Sequence, residues 1–260
     1  MFRLLRTLPL LTLVTLPVLG GCGEEPRSHL EQIQAGGELV VATREAPTSY
    51  QRGSLGPTGP EYAMAQRFAD QLGVELRMEV LPGPDAIFAA LDRGEADLAA
   101  AALTRTEERA HARPFGPAYQ YASALVIHRG GIDMRPEDVS DLVGHRIGVV
   151  SGSSHIDFLE EARAEHPGLA WVEVEDAATE ALLRKVHNGD LDYTIMDSHE
   201  FQAARRYFPE LRAALDLSGP RPLAWALPRG GDGSLEQRVA EFFDTIKTDG
   251  SLARILDHHY

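Results

Sequence analysis

One short pattern occurs twice in this chain and limits its fold more than any other feature. "ALDRGEADLAAAALT" (residues 90–104) and "KVHNGDLDYTIMDS" (residues 185–198) share one layout: the end of a helix, a glycine, an acid, an aspartate, an apolar strand and then polar residues. Gly94 and Gly189 take equivalent places, as do Asp97 and Asp192. A glycine ends a helix by adopting the left-handed backbone conformation, and the apolar run after it reads as a buried strand. A unit built twice implies two similar halves. Each delivers polar side chains just past the carboxyl end of a strand, which is where open α/β sheets bind ligands.

The flanking segments extend the plan. "ELVVAT", "VELRMEVL" and "ADLAAAAL" read as strands around the helices "PEYAMAQRFADQLG" and "PDAIFAALDRG". After "ASALVIHRGG" the strands "RIGVVSG", "AWVEV" and "LDYTIMD" alternate with the helices "SSHIDFLEEARAEHPG" and "TEALLRKVHNG". The segment "PLAWALP" and the helices "SLEQRVAEFFDTIK" and "SLARILDHHY" close the chain. This alternation predicts an α/β fold. "PAYQYASAL" would lead from the first lobe to the second and "LDLSGPRPLAW" back again. The expected division is lobe 1 over 38–121 plus 222–260 and lobe 2 over 122–221. Two crossing strands would form a hinge, with closure around a ligand as the expected motion.

With 260 residues the chain is long enough for two modest cores. Its formal net charge of −14 argues against a nucleic-acid backbone as the main partner. The first 21 residues stand apart: Arg3 and Arg6, then an apolar stretch from Leu8 to Leu19. That stretch is too short to span a bilayer, which takes about 20 residues, and reads as a secretory signal. It ends in "LGGC", which resembles the lipobox of bacterial lipoproteins, with Cys22 as the acylated residue. Acylation of Cys22, the only cysteine, would hold the protein on a membrane, and no disulfide can form within the chain. Residues 22–37 are expected to be a lipid-anchored tether.

"GPEYAMAQRFADQLGV", "LDRGEADLAAAALTRTEER", "RPFGPAYQY", "RIGVVSGSSH" and "MDS" together resemble the family 3 extracellular solute-binding proteins. The resemblance covers about residues 38–260 and implies a bilobed periplasmic-binding-protein fold, two α/β lobes on a two-strand hinge. "DYTIMDSHEFQAARRYFPELRAALDLSGPRPLAWALP" and "SLEQRVAEFFDTIKTDGSLARIL" are similar to the N-terminal domain of the membrane-bound lytic murein transglycosylase F family. In that family a bilobed domain precedes a lysozyme-like catalytic domain. The sequence ends at Tyr260, where that domain would begin, so the chain as given is expected to bind rather than to cut glycan. The resemblance implies a module that closes on an amino-acid-like or stem-peptide ligand, with peptidoglycan or a catalytic domain as further partners. The alternatives are the receptor of an amino-acid importer and a piece of an active transglycosylase. The resemblance also implies a periplasmic setting. Gly23 after Cys22, in place of the aspartate that retains enteric lipoproteins at the inner membrane, leans toward the outer membrane.

Arg109 carries the strongest site expectation. The resemblance makes it the clamp for a ligand carboxylate, and a guanidinium matches a carboxylate with two parallel hydrogen bonds. The alternative is a surface arginine paired with Glu107 or Glu108; Arg105 is its solvated neighbour. Thr104 either helps hold the carboxylate or caps the helix that follows. Asp197 either receives the ligand ammonium, as the resemblance implies, or caps "SHEFQAARRYF". Ser153 and Ser154 lie at a strand-to-helix turn suited to an anion, or simply cap the helix. Tyr50 matches an aromatic that, as the resemblance implies, covers the ligand; the alternative is a loop tyrosine. Ala101 and Ala102 stand where amino-acid importers often carry serines, so the first lobe offers fewer hydroxyls. No metal, cofactor or catalytic constellation is expected. The histidines show no ligand spacing, "GSLGPTG" lacks a nucleotide-binding pattern, and Ser153, His155 and Asp157 gain no triad geometry from being neighbours. Trp171 and Trp225 read as core.

Overall fold

Ser28 caps the first helix of the described chain. Its hydroxyl accepts a hydrogen bond from Glu31 N while Glu31 bonds back to Ser28 N, a capping box that starts α1 (His29–Gly36). The computed structural model describes residues 27–131, 135–175 and 179–260. Cys22 and the leader lie outside the described residues. The end of the expected tether is therefore helical. Ile33 is buried, and His29 N and Leu30 N donate to Asp232 and Ser234 of the first lobe.

In that lobe, β1 (Glu38–Thr43) is the middle of a three-stranded parallel sheet. A short hairpin, β2 (Gln51–Gly53) and β3 (Gly56–Thr58), leads into α2 (Pro60–Leu72), which starts at a proline and ends on left-handed Gly73. β4 (Glu75–Val80), α3 (Pro84–Asp92), β5 (Leu98–Ala99) and α4 (Glu107–Ala112) follow, with β4 and β5 flanking β1. The eight-residue strand expected over "ADLAAAAL" keeps only two ladder residues. The chain leaves the sheet because Ala102 adopts a left-handed backbone, φ 52°.

β6 (Gln120–Ala122) crosses to a five-stranded sheet made of β7 (Ala124–Arg129), β8 (Ile147–Val150), β9 (Trp171–Val174), β10 (Tyr193–Asp197) and β11 (Leu211–Asp216). The spatial order is β11-β7-β10-β8-β9, with β7 antiparallel to both its neighbours. The helices of this lobe are α5 (Ser154–Glu165), α6 (Thr179–Asn188) and α7 (Ser198–Ala204). β12 (Arg221–Leu223) returns beside β6 as its antiparallel partner, so two short strands carry the chain across and back.

The return segment completes lobe 1. Ala226 bridges Ala99, and Trp225 lies fully buried among Phe68, Phe242 and Phe243. Phe68 belongs to α2, and Phe242 and Phe243 to α8 (Ser234–Thr248), which is followed by α9 (Ser251–His259). Trp171, in contrast, sits at the edge of the lobe 2 core under the guanidinium of Arg163, 4.8 Å from its ring centroid. Its strand is one of the two outer strands of its sheet.

The repeated pattern has a physical basis. Gly94 and Gly189 have φ of 68° and 81°. Asp97 accepts from Val40 N at 2.8 Å and donates its own N–H to Val40 O at 2.8 Å. Asp192 accepts from Arg146 N at 2.8 Å and donates to Arg146 O at 2.9 Å. Each aspartate thus ties the start of one strand to the neighbouring strand with reciprocal bonds.

Candidate functional site

The two lobes meet over a cleft lined by residues of both. Lobe 1 contributes the chain that leaves β5. Ala101, Ala102, Leu103 and Thr104 line the wall, and Arg109 reaches in from α4. The cap of α4 is Thr106, whose hydroxyl accepts from Arg109 N at 3.2 Å. Thr104 therefore has no capping duty. It is buried and bridges to Leu223.

Arg109 does not pair with Glu107 or Glu108, which are exposed. Its guanidinium turns inward, donating to Thr104 O at 3.1 Å and, across the cleft, to Gly152 O at 2.8 Å. The Phe88 ring lies 5.2 Å away. Burial pushes the guanidinium below its usual range, opposed by Asp157, Asp197 and Asp85. Arg105, as expected of a solvated neighbour, is exposed. The lobes are also tightly apposed beside Arg109: a Cβ on Gly152 would collide with the Asp85 carboxylate.

Lobe 2 brings Ser153, Ser154 and Asp197 to the same cleft. Ser153 and Asp197 occupy the N-cap positions of α5 and α7, yet neither side chain makes a capping bond. Ser153 Oγ is buried with no hydrogen-bond partner. The capping alternative for these two side chains fails, and both are uncommitted. Tyr50 is the expected site residue that does not line the cleft. Its ring is buried in lobe 1, edge-on to Tyr62 at 6.0 Å.

The sequence reading gave no site role to Arg44, Glu200, His155 or His199. Arg44, just past β1, and Glu200, on the first turn of α7, form an ion pair between the lobes with side chains only 13% and 7% exposed. The signals were available: Arg44 follows the end of a buried strand, and Glu200 lies three residues from Asp197, on the same helical face. His155 also lines the cleft, buried, with Nδ1 unpartnered. His199 is buried with both ring nitrogens unpartnered and its ring edge-on to Tyr260 at 5.9 Å.

Burial holds His155 below the usual imidazole range and His199 down to about 4, with Asp197 opposing in both cases. Arg44 and His155 further disfavour a charge on His199. A histidine whose folded pKa is depressed binds its proton more readily once unfolded. Stability should therefore fall as pH drops from the unfolded value near 6.5 toward 4, and His199 should cost roughly 3 kcal/mol by the end of that window. Urea denaturation of the wild type and of His199→Phe across this range checks it. The variant should lose less stability than the wild type, and parallel curves would refute the assignment.

The lobe 1 wall is fixed from behind. Glu61 of α2, 1% exposed, accepts from Ala102 N at 2.7 Å, from Trp225 Nε1 at 2.7 Å and from the Tyr119 hydroxyl. Burial raises its carboxyl above the usual range, opposed by the donated bonds. The left-handed backbone of Ala102 is held by this carboxylate.

The site has the parts of a receptor for a small charged solute: an arginine and an acid on opposite walls, an uncommitted serine hydroxyl and a two-strand crossing behind them. Among the described residues, no group of three or more His, Cys, Asp or Glu side chains could hold a metal ion. No described helix is long and apolar enough to cross a membrane. The sequence profile of the bacterial extracellular solute-binding proteins, family 3, matches residues 39–260. The membrane-bound lytic murein transglycosylase F 1 of Alkalilimnicola ehrlichii is 45% identical over 237 residues, covering 91% of this chain and 48% of that protein. The chain thus spans about half the length of the curated relatives it matches. Among solved structures, the P235GK mutant of ArgBP from T. maritima superposes with a TM-score of 0.79 at 21% identity, covering 88% of this chain and 98% of that one. The substrate-binding protein AbpA of Streptococcus pneumoniae, bound to L-arginine, gives 0.76 at 25% identity, covering 88% and 97%. The bilobed fold and the expected resemblance are both borne out: this chain belongs to the bacterial extracellular solute-binding proteins of family 3.

Proposed function

We propose that the chain is a lipid-anchored, extracytoplasmic binding module that closes on an amino-acid-like or peptidoglycan stem-peptide ligand and regulates a lytic-transglycosylase-like protein. One observation carries the binding part: Arg109 and Asp197 face one cleft from opposite lobes, and Asp197 has no capping bond to give up. Arg109 would take the carboxylate, Asp197 the ammonium, and Ser153 and Ser154 would complete the anion contacts. Thr104 would serve the carboxylate from the lobe 1 wall. A zwitterion touching both walls binds the closed form better than the open one, which is the condition for driving closure. The regulatory part rests on relatives about twice as long that are named lytic transglycosylases.

A second reading, the receptor of an amino-acid importer, draws on the likeness to a substrate-binding protein of an amino-acid transporter. The alanines at 101 and 102 favour the first reading, because they leave the wall poor in hydroxyls.

Calorimetric titration of the protein lacking its leader, with single amino acids and with stem peptides, decides between them. Binding of stem peptides supports the sensor, and binding of single amino acids alone supports the importer. No heat from either class removes both readings. The anchor is checked separately: Cys22→Ser should move the protein from the membrane fraction to the soluble one, and unchanged partitioning would overturn lipidation as its basis. Outer-membrane residence, proposed from Gly23, is read by fractionating the two membranes.

A further inference from the structure

Arg109 stands on α4, a short helix none of whose residues is buried. Its aim into the cleft has to be fixed from elsewhere. Behind it lies a stack of side chains that do not line the cleft. Phe88 of α3 has two guanidiniums over its ring, Arg109 at 5.2 Å and Arg113 at 4.6 Å from the centroid. Arg113 ends α4, its N–H donating to Arg109 O at 3.0 Å. Its Nη2 donates to both oxygens of Asp92, at 3.1 and 3.2 Å, and Asp92 is the last residue of α3. Phe88 and Asp92 are four residues apart, as are Arg109 and Arg113, and residues at that spacing share a helix face. The two pairs therefore interlock, one from each helix. Arg229 of the return segment holds the same carboxylate through two further bonds, at 2.6 and 3.1 Å.

Stability alone does not account for Arg113. It is only 8% exposed, and its Nη1 is buried with no hydrogen-bond partner. The one carboxylate it reaches is shared with Arg229. Burial holds its guanidinium below the usual range, with Asp92 opposing and Arg229 adding to the depression. An apolar side chain of like volume would fill the place without stranding a donor or desolvating a charge. What the guanidinium adds is a flat cation anchored at one end and laid over the ring that Arg109 also faces. Resting on the reading that Arg109 takes the ligand carboxylate, we propose that Asp92, Arg113 and Phe88 are positioning residues for that arginine. Asp92 fixes Arg113, Arg113 fixes the Phe88 ring, and the ring sets the plane in which the Arg109 fork enters the cleft. Two parallel hydrogen bonds to a carboxylate need that plane, not only the charge. All three residues act through Arg109.

NMR of isotope-labelled arginine side chains tests this with no solute present. The Nε–H signals of Arg109 and Arg113, assigned by their loss in Arg109→Lys and Arg113→Met, should be displaced by the ring current of Phe88. Phe88→Tyr should keep the displacement of the Arg109 signal and Phe88→Leu should abolish it. Arg113→Met, which leaves Asp92 to Arg229, should remove at least about half of it. An Arg109 signal unmoved in Arg113→Met would overturn the proposal. Calorimetry with L-arginine as the probe reads the consequence for binding. Arg113→Met should weaken it about tenfold in the wild-type background and less than about twofold in an Arg109→Lys background, where no planar fork remains to be aligned. Equal losses in both backgrounds would show a merely structural role and also overturn the proposal. A displaced Arg109 signal that responds to Arg113→Met, with no binding of L-arginine or of the amino acids and stem peptides above, would strike the carboxylate reading and leave the alignment of Arg109 standing.

Discussion

Glu61→Ala is expected to destabilise the domain by about 5 kcal/mol, the largest loss for any single side chain described here. Three buried donors depend on that carboxylate: Ala102 N, Trp225 Nε1 and the Tyr119 hydroxyl. A buried donor left without an acceptor costs roughly 1–3 kcal/mol, and relief of a desolvated carboxylate offsets part of the sum. Glu61→Gln should lose less, roughly 2 kcal/mol, because the amide keeps one acceptor oxygen but turns its own donors toward the others. Urea denaturation at neutral pH measures both. Loss of under about 1 kcal/mol in Glu61→Ala would show that the network is not what holds the Ala102 segment.

The second large effect is on affinity. Arg109→Ala should weaken any carboxylate ligand by about 4 kcal/mol, near a thousandfold, since two charged hydrogen bonds of roughly 1.5–3 kcal/mol each disappear. Arg109→Lys keeps the charge but loses the planar fork, and should recover only a small part. The fold should tolerate both, because the guanidinium bonds only carbonyls of Thr104 and Gly152 and stacks on Phe88. Affinity from calorimetry, beside a melting curve for each variant, checks the pair of claims. Undiminished affinity in Arg109→Ala would move the carboxylate site elsewhere.

Much of this could be read from the sequence, and what could not has a common cause. Strands and helices showed through their periods, their prolines at helix starts and glycines at helix ends. The repeat at Gly94 and Gly189 located both strand ends that feed the cleft. Interactions between distant residues were hidden. Nothing near Ala102 announces a left-handed turn, because its cause is a carboxylate 41 positions away. Arg44 and Glu200 are ordinary charged residues until the lobes bring them together. The helix at the end of the expected tether has a purely local signature instead, the capping box formed by Ser28 and Glu31. Tyr50 shows the limit of carrying positions over from relatives: the aromatic is present, but its ring is buried against Tyr62.

The way Glu61 braces Ala102 has a kinetic consequence. One half of the cleft is built before a ligand arrives, because its shape is set by the lobe 1 core rather than by the solute. Little ordering remains to be done there on first encounter. The association rate should therefore reflect capture by lobe 1 alone and vary little between solutes sharing a carboxylate head. Residence time should instead report how well the far end of each solute engages lobe 2. Discrimination by this protein would then be exercised at departure, not at entry.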